Sequence, residues 1–160
     1  MVTNVSDDGM KKFQFKNELR KLFNFQHLAA LATLGDDGPY INLVAFAATN
    51  DLKYLLFSTS RSTKKYANIS KNPNVTMLID NRKNDESDFY DTIAVTVMGQ
   101  VNQVNESEID KLTNIFISKH PILSDFLKSQ NNVFLKIEVE KYIIVSKFGQ
   151  IDELNMEEMT

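Results

Sequence analysis

The chain has no cysteine. Disulfide frameworks, iron–sulfur clusters and thiol catalysis are therefore excluded together. Histidine is nearly as scarce: His27 and His120 are the only two, they lie far apart in sequence, and neither has a partner at metal-ligand spacing. No metal site is expected. No run approaches the roughly 18 consecutive apolar residues of a membrane span, and the polar stretch Met1 to Gln14 lacks the form of a signal peptide. These absences give the expectation of a cytoplasmic protein with no membrane partner. The sequons at Asn4, Asn68, Asn74 and Asn105 are then chance matches, because glycosylation needs secretion. Internal repeats and low-complexity tracts are also missing.

What is present fits one domain with its own core: 160 residues, 42% hydrophobic and 24% charged. The charge is unevenly spread. From Leu52 to Ile79 stand five basic residues (Lys53, Arg61, Lys64, Lys65, Lys71) and no acidic one, so the rest carries −8 against the whole chain's −3. A compact positive region in an acidic chain suits one small anion rather than a long nucleic-acid track.

The same region has a distinctive order. Lys53 to Phe57 reads as a buried strand, and Ser58, Thr59, Ser60, Ser62 and Thr63 then place five hydroxyls within six positions before a basic helix. A Ser at the helix cap would leave the first backbone N–H groups free for an anion, with Arg61, Lys64 and Lys65 at the same end. A solvated basic helix face is the plainer alternative; the hydroxyl cluster favours a phosphate.

In chain order, Met1 to Gly9 reads as a loose start. An amphipathic helix follows over Met10 to Phe25, with Phe13, Leu19, Leu22 and Phe23 on one stripe. His27 to Leu34 and Tyr40 to Ala48 flank the turn Gly35-Asp-Asp-Gly38 as a hairpin, and the Lys53 to Phe57 strand continues a meander. Pro73 ends the basic helix; Val75 to Asp80 is a fourth strand; Asn81 to Asp91, with six charged residues, is an exposed loop. Thr92 to Val104 alternates as a fifth strand in which Gly99 marks a bulge or a close backbone approach. Asn105 and Glu108 form a capping pair before a helix carrying Ile109, Leu112, Ile115 and Phe116, and Pro121 opens a second short helix. Val133 to Val145 is the last strand. The polar, acidic residues after it read as a mobile tail or a segment ordered by a partner, in which Met156 and Met159 are incidental. The division expected is an N-terminal helical segment (1–24), a six-stranded antiparallel β-barrel with peripheral helices (25–146) and an acidic tail (147–160).

Three blocks, Leu31 to Tyr40, Phe57 to Ile69 and Asn72-Pro-Asn-Val75, together resemble the FMN-binding split barrel of the pyridoxamine 5'-phosphate oxidase-like superfamily. Leu78 to Arg82 with Asp88-Phe89 is similar to an uncharacterised branch of it. The resemblance implies a homodimer with FMN at the subunit interface. By position it puts Lys64 and Lys65 on the FMN phosphate, with Arg61, Ser62 and Thr63 completing the cradle. Ser58 and Thr59 would lie along the ribityl chain and ring, the backbone of Asn42, Leu43, Val44 and Ala45 would face the isoalloxazine, and Asn81 and Arg82 would reach the flavin or the other subunit.

The departures matter too. Tyr142 to Thr160 contains neither the Arg nor the His with which the vitamin-forming oxidases hold substrate, so synthesis of pyridoxal phosphate is not expected. Ala94 falls where some members present a polar residue to the ring. No side chain stands out as a general acid or base, which flavin chemistry does not require. The expected function is an FMN-dependent oxidoreductase acting on an unknown small substrate and electron donor. The alternatives are a non-catalytic flavin store or sensor, a haem-handling barrel using His27 or His120, and deazaflavin in place of FMN. For the histidines the plainer readings are a hydrogen-bonded strand edge at His27 and a solvated cap neighbour at His120.

Overall fold

The computed structural model describes residues 5–147 and 149–159. Helix α1 (Val5–Phe25) opens the chain, earlier than the periodicity of its apolar residues suggests. Asp8 pairs with Lys12 one turn on, at 3.6 Å, on a stretch expected to be loose; residues 1–4 of that stretch lie outside the described ones. The second half of α1 meets the barrel: Leu19, Leu22 and Phe23 are buried and Phe15 packs on the core, whereas Phe13 is 64% exposed and does not join the stripe.

Strands β1 (Leu28–Gly35), β2 (Gly38–Ala48) and β3 (Tyr54–Ser60) form the expected meander, and helix α2 (Lys64–Lys71) leads into β4 (Asn74–Asp80). The charged loop is exposed but holds a one-turn helix, α3 (Asp88–Asp91), whose first carboxylate accepts from the backbone N–H groups of Lys83, Asn84 and Asp85. Then come β5 (Ala94–Gln103), α4 (Ile109–Lys119), a 3-10 turn at Pro121–Leu123, α5 (Ser124–Lys128) and the long β6 (Asn132–Ser146). Glu108 accepts from Asn105 N–H at 3.1 Å, one half of the capping pair expected there.

One antiparallel sheet runs β3-β2-β1-β4-β5-β6-β7, and β3 also pairs with β6. The first six strands therefore close a barrel, as the alternation of the chain predicts. Closure depends on β6 changing partners along its length: Asn132 to Glu138 pair with β3, while Lys141 to Ser146 pair with β7 (Gln150–Asn155). The segment expected to be a tail is thus a seventh strand followed by a 3-10 turn at Met156–Met159. Its acidic residues fall at exposed positions, and two apolar ones anchor it: Leu154 is buried opposite Tyr142, and Met156 packs on the core. The side chain of Met159, and Thr160, lie outside the described residues.

Both readings of Gly99 hold. The β5–β6 register slips between Met98 and Gly99, and a Cβ at Gly99 would overlap the carbonyl oxygen of Glu138. Inside the barrel Leu31, Phe46, Leu55, Phe57, Met77, Ile79, Val95 and Ile137 are fully buried, each contributing roughly 1.5–3 kcal/mol. Tyr142 is buried with them, its hydroxyl donating to the carbonyl of Leu52 at 2.6 Å. Leu52 has a φ of 62°, so this bond ties down a turn that a Leu seldom adopts.

Candidate functional site

Helix α2 is docked by its inner face. Asn68 donates to the Thr33 hydroxyl at 3.0 Å, and Gly35 leaves room for it: a Cβ there would stand 2.7 Å from Asn68 Oδ1. Lys65 lies one turn before Asn68 and points the same way, into the barrel mouth. It is 7% exposed.

A chain of hydroxyls meets it. Lys65 Nζ donates to Thr59 Oγ1 at 3.3 Å, Thr59 lies 3.1 Å from Thr63 Oγ1, and Thr63 donates to the Ser60 carbonyl at 2.8 Å. Thr63, rather than a Ser, caps α2, accepting from Tyr66 N–H at 3.2 Å. Burial pushes the Lys65 ammonium below the usual lysine range. Among the described residues it has no carboxylate partner, so a desolvated positive charge ends on a neutral hydroxyl.

The other basic residues stand at the rim. Lys64 is half-exposed, 3.4 Å from Asp37 and over the ring of Tyr40, and Lys71 reaches Asp36 at 2.8 Å. The Asp-Asp turn expected between β1 and β2 is there, and its carboxylates lie along α2. Arg61 bonds the Tyr66 hydroxyl at 3.1 Å, and its backbone N–H meets the Asn131 carbonyl at 2.8 Å. Ser62 is exposed, 2.9 Å from Ser60 Oγ. Ser58 faces away from the barrel interior and donates to the Val133 carbonyl at 3.0 Å.

An unpaired strand edge lies beside this cradle. β2 pairs with β3 only across Phe46, Ala47 and Ala48, so the β3-facing edge of Asn42, Leu43, Val44 and Ala45 has no strand beside it among the described residues. Asn42 and Val44 share the inner face with Leu31 and Ala29, while Leu43 and Ala45 face outward. Asn42 Oδ1 is buried without a hydrogen-bond partner among the described residues. An orphaned acceptor next to an open strand edge and a buried cation suits a ligand with an anionic end and a ring bearing N–H groups.

Asn81 and Arg82 are not brought to the cradle. They follow Asp80, beyond the Leu78–Ala30 pair, whereas α2 docks at Thr33 to Gly35, roughly 20 Å along the strand at its usual rise. Within the chain they are locally engaged: Asn81 accepts from Ile93 N–H at 2.8 Å, and Arg82 Nε is 3.2 Å from Asp80. His120 also differs from its sequence reading. His120 is buried rather than solvated, its Nε2 lies 2.7 Å from the Phe46 carbonyl oxygen, and its ring is 5.7 Å from that of His27. Among the described residues no group of three or more metal-ligating side chains exists, and no helix is long and apolar enough to cross a membrane.

Thr33 and Asn68 were not singled out from the sequence. Thr33 is the one hydroxyl in an otherwise apolar run, on the buried parity of its strand, and Asn68 lies three residues after Lys65. Both signals are legible only once the inner face is known.

Residues 15–146 match the family model of pyridoxamine 5'-phosphate oxidase. No curated protein matches the chain. Among solved structures, a heme binding protein from Mycobacterium smegmatis is similar over 89% of this chain and 58% of its own, with 15% identity and a TM-score of 0.78. The chain thus spans little more than half the length of that protein. General Stress Protein 26 from Bacillus anthracis aligns with 88% of this chain and 99% of its own, at 22% identity and a TM-score of 0.64. A FAD-binding protein from Mesorhizobium loti aligns with 80% of this chain and 90% of its own, at 18% identity and a TM-score of 0.63. At such identities these likenesses carry the fold alone.

Proposed function

The chain belongs to the pyridoxamine 5'-phosphate oxidase family, and on that footing we propose that it binds FMN with the phosphate in the Thr59–Thr63–Lys65 cradle. The observation that carries the reading is Lys65, a buried ammonium whose one hydrogen bond among the described residues goes to a neutral hydroxyl. Leaving such a charge unpaired is costly, and a phosphate dianion offsets that cost. Lys64, Arg61 and Ser62 are in reach of the exposed side of the same anion. Ser58 stays with β6, and Thr59 stands where the phosphate end meets the ribityl chain. The open edge of Asn42 to Ala45, with the orphaned Asn42 Oδ1, offers donors and acceptors to a flavin ring.

The bound flavin supplies hydride or electron transfer. The protein's part is to hold the phosphate, fix the ring against β2 and limit water at its inner face. We read the chain as an oxidoreductase for a small substrate. The vitamin-forming reaction is not proposed, since Tyr142 to Thr160 contains neither an Arg nor a His. A non-catalytic flavin carrier is the reading left if no donor reduces the bound cofactor.

A homodimer is part of the proposal. Ile41, Leu43, Leu78 and Met98 line up on the outer face of β2, β4 and β5, all exposed, with Ile41 and Leu43 near two-thirds. A second copy on that face would cover them and bring its own Asn81 and Arg82 toward the first copy's flavin.

Haem is the second reading, favoured by the likeness to the M. smegmatis protein. Absorbance of the purified protein, followed by identification of what denaturation releases, separates the two. Released FMN, lost in Lys65→Met, supports the proposal; a Soret band without flavin, or a protein that stays colourless after incubation with FMN, sinks it.

A further inference from the structure

Phe46 is the residue at which β2, paired with β1 up to Ala45, begins to pair with β3, opposite Phe57. Both histidines hold its backbone. Its N–H meets the carbonyl of His27 at 3.4 Å, and its carbonyl oxygen lies 2.7 Å from His120 Nε2. The ring is held as well: Phe23 of α1 meets it edge to face at 5.9 Å, and Lys119 Nζ stands 3.8 Å over it. Lys119 also donates to the Phe23 carbonyl at 2.6 Å. Two consecutive residues at the end of α4 therefore clasp the end of α1 and the strand that carries the open edge of Asn42 to Ala45.

The charges around this clasp are all of one sign. From its own helix His120 faces Lys119, and from just before β1 it faces His27; among the described residues α1 and β2 meet the clasp through the carbonyls and rings of Phe23 and Phe46. Phe116 covers it from one turn back, at 5.0 Å between rings. Among the described residues no carboxylate forms an ion pair with His27, Lys119 or His120. A neutral imidazole with its proton on Nε2 satisfies the Phe46 carbonyl without adding charge. A second proton would place a cation, 95% buried, beside the Lys119 ammonium with no counter-charge.

We propose that the Lys119–His120 clasp is a proton-sensitive hold on β2, so that protonating His120 loosens the strand edge at Asn42 to Ala45 and lowers flavin retention. The inference rests on the flavin reading above. His120 is a positioning residue in it, acting on the cofactor through Phe46. Burial, with the two neighbouring bases, outweighs the Phe46 carbonyl, which favours the proton, and keeps the ring below the usual histidine range, on the acid side of neutrality.

The test has two readouts. Hydrogen-exchange protection of residues 41–46 in the cofactor-free protein, and FMN affinity of the loaded protein, are compared between about pH 7.5 and about pH 5.5 in the wild type and in His120→Gln. The phosphate of FMN has its own ionisation near pH 6, so both proteins share that slope and the difference between them is what counts. The wild type is expected to lose protection and to bind FMN about ten-fold more weakly in acid than His120→Gln, which keeps an amide donor but does not titrate. Lys119→Met, by removing a neighbouring cation, moves the wild-type transition to higher pH. Equal pH profiles for wild type and His120→Gln in both readouts overturn the clasp and leave the flavin site standing. A protein that refuses FMN at every pH overturns the flavin reading and with it the retention claimed here.

Discussion

The ammonium of Lys65 ends 3.3 Å from the hydroxyl of Thr59, inside the barrel mouth rather than in solvent. Lys64, its neighbour in sequence, points outward to Asp37 at 3.4 Å. Adjacent helical positions diverge by about 100°, so two lysines that look equivalent in sequence do different work. The inner one is desolvated beside the Thr59 hydroxyl, where the proposed phosphate would sit; the outer one is half in water and screened by salt.

Removing the inner charge therefore costs more. Lys65→Met keeps the buried stem and loses the ammonium, and FMN affinity is expected to fall about ten- to hundred-fold, as for a charge-assisted hydrogen bond of roughly 1.5–3 kcal/mol. Lys64→Met should cost only a few-fold. The thermal midpoint of the cofactor-free Lys65→Met protein should hold or rise, because an unpaired buried charge has gone. Fluorescence titration and a melt give both numbers, and equal losses from the two substitutions would remove the distinction.

Gly35 sets how closely α2 approaches β1. A Cβ there would press on the Asn68 amide at 2.7 Å, and that amide is already bonded to Thr33. Gly35→Ala is expected to destabilise by about 1–3 kcal/mol, the usual range for overpacking, and to weaken FMN binding by shifting Lys65 with the helix. Restored affinity in Gly35→Ala combined with Asn68→Ala would confirm that the effect runs through this contact.

Much of this architecture is legible in the chain. The hydroxyl run Ser58 to Thr63, the Asp-Asp turn and the alternation of β5 reflect local rules, and the structure has them where the sequence puts them. What fails is decided by long-range pairing. The residues after Ser146 look like a polar tail because their apolar members are scattered singly among acidic and polar ones; the free half of β6 supplies the edge that orders Gln150 to Asn155. His120 looks like a solvated neighbour of Pro121, and only the approach of Phe46, 74 positions away, buries it. Thr33 and Asn68 likewise gain their meaning from a contact 35 positions apart.

The bond from Tyr142 to the Leu52 carbonyl makes a separate prediction about stability. It is 2.6 Å long and fully buried, and burial holds the phenol well above the usual tyrosine range, so it stays protonated. Tyr142→Phe leaves the carbonyl of a positive-φ residue without its donor and is expected to cost about 1–3 kcal/mol. Urea unfolding should show a lower midpoint with an unchanged slope. FMN affinity should not move, since Leu52 is remote from the cradle.

Lys119 makes stability depend on pH on the alkaline side. Burial lowers its amine to about 8 in the folded chain, from the ordinary lysine value of 10.5. Between those two values the unfolded chain binds more protons than the folded one, so stability rises as pH rises through this window and levels off above it. Lys119→Met is expected to flatten that rise. Chemical unfolding at several pH values across the window checks it, and a wild-type curve without the rise would contradict a desolvated amine.

The outer face of the barrel bears on the proposed dimer. Leu43 stands opposite Ala30, Ala30 opposite Leu78, Ile41 opposite Ala32, and Thr76 opposite Met98, so the exposed apolar side chains form rows across four adjacent strands. The alanines of β1 leave the middle of the face shallow, and the larger side chains on either side form its ridges. Such a face is costly to leave in water. Leu43→Asp should convert a dimer into a monomer in sedimentation and, if the second copy completes the flavin site, release FMN at the same time. Ile122→Asp is the control: Ile122 is 91% exposed but belongs to the turn after α4, away from these strands, and should leave the dimer intact. A wild type that sediments as a monomer would refute the dimer, and a Leu43→Asp monomer that keeps full FMN affinity would show that one chain holds the cofactor alone.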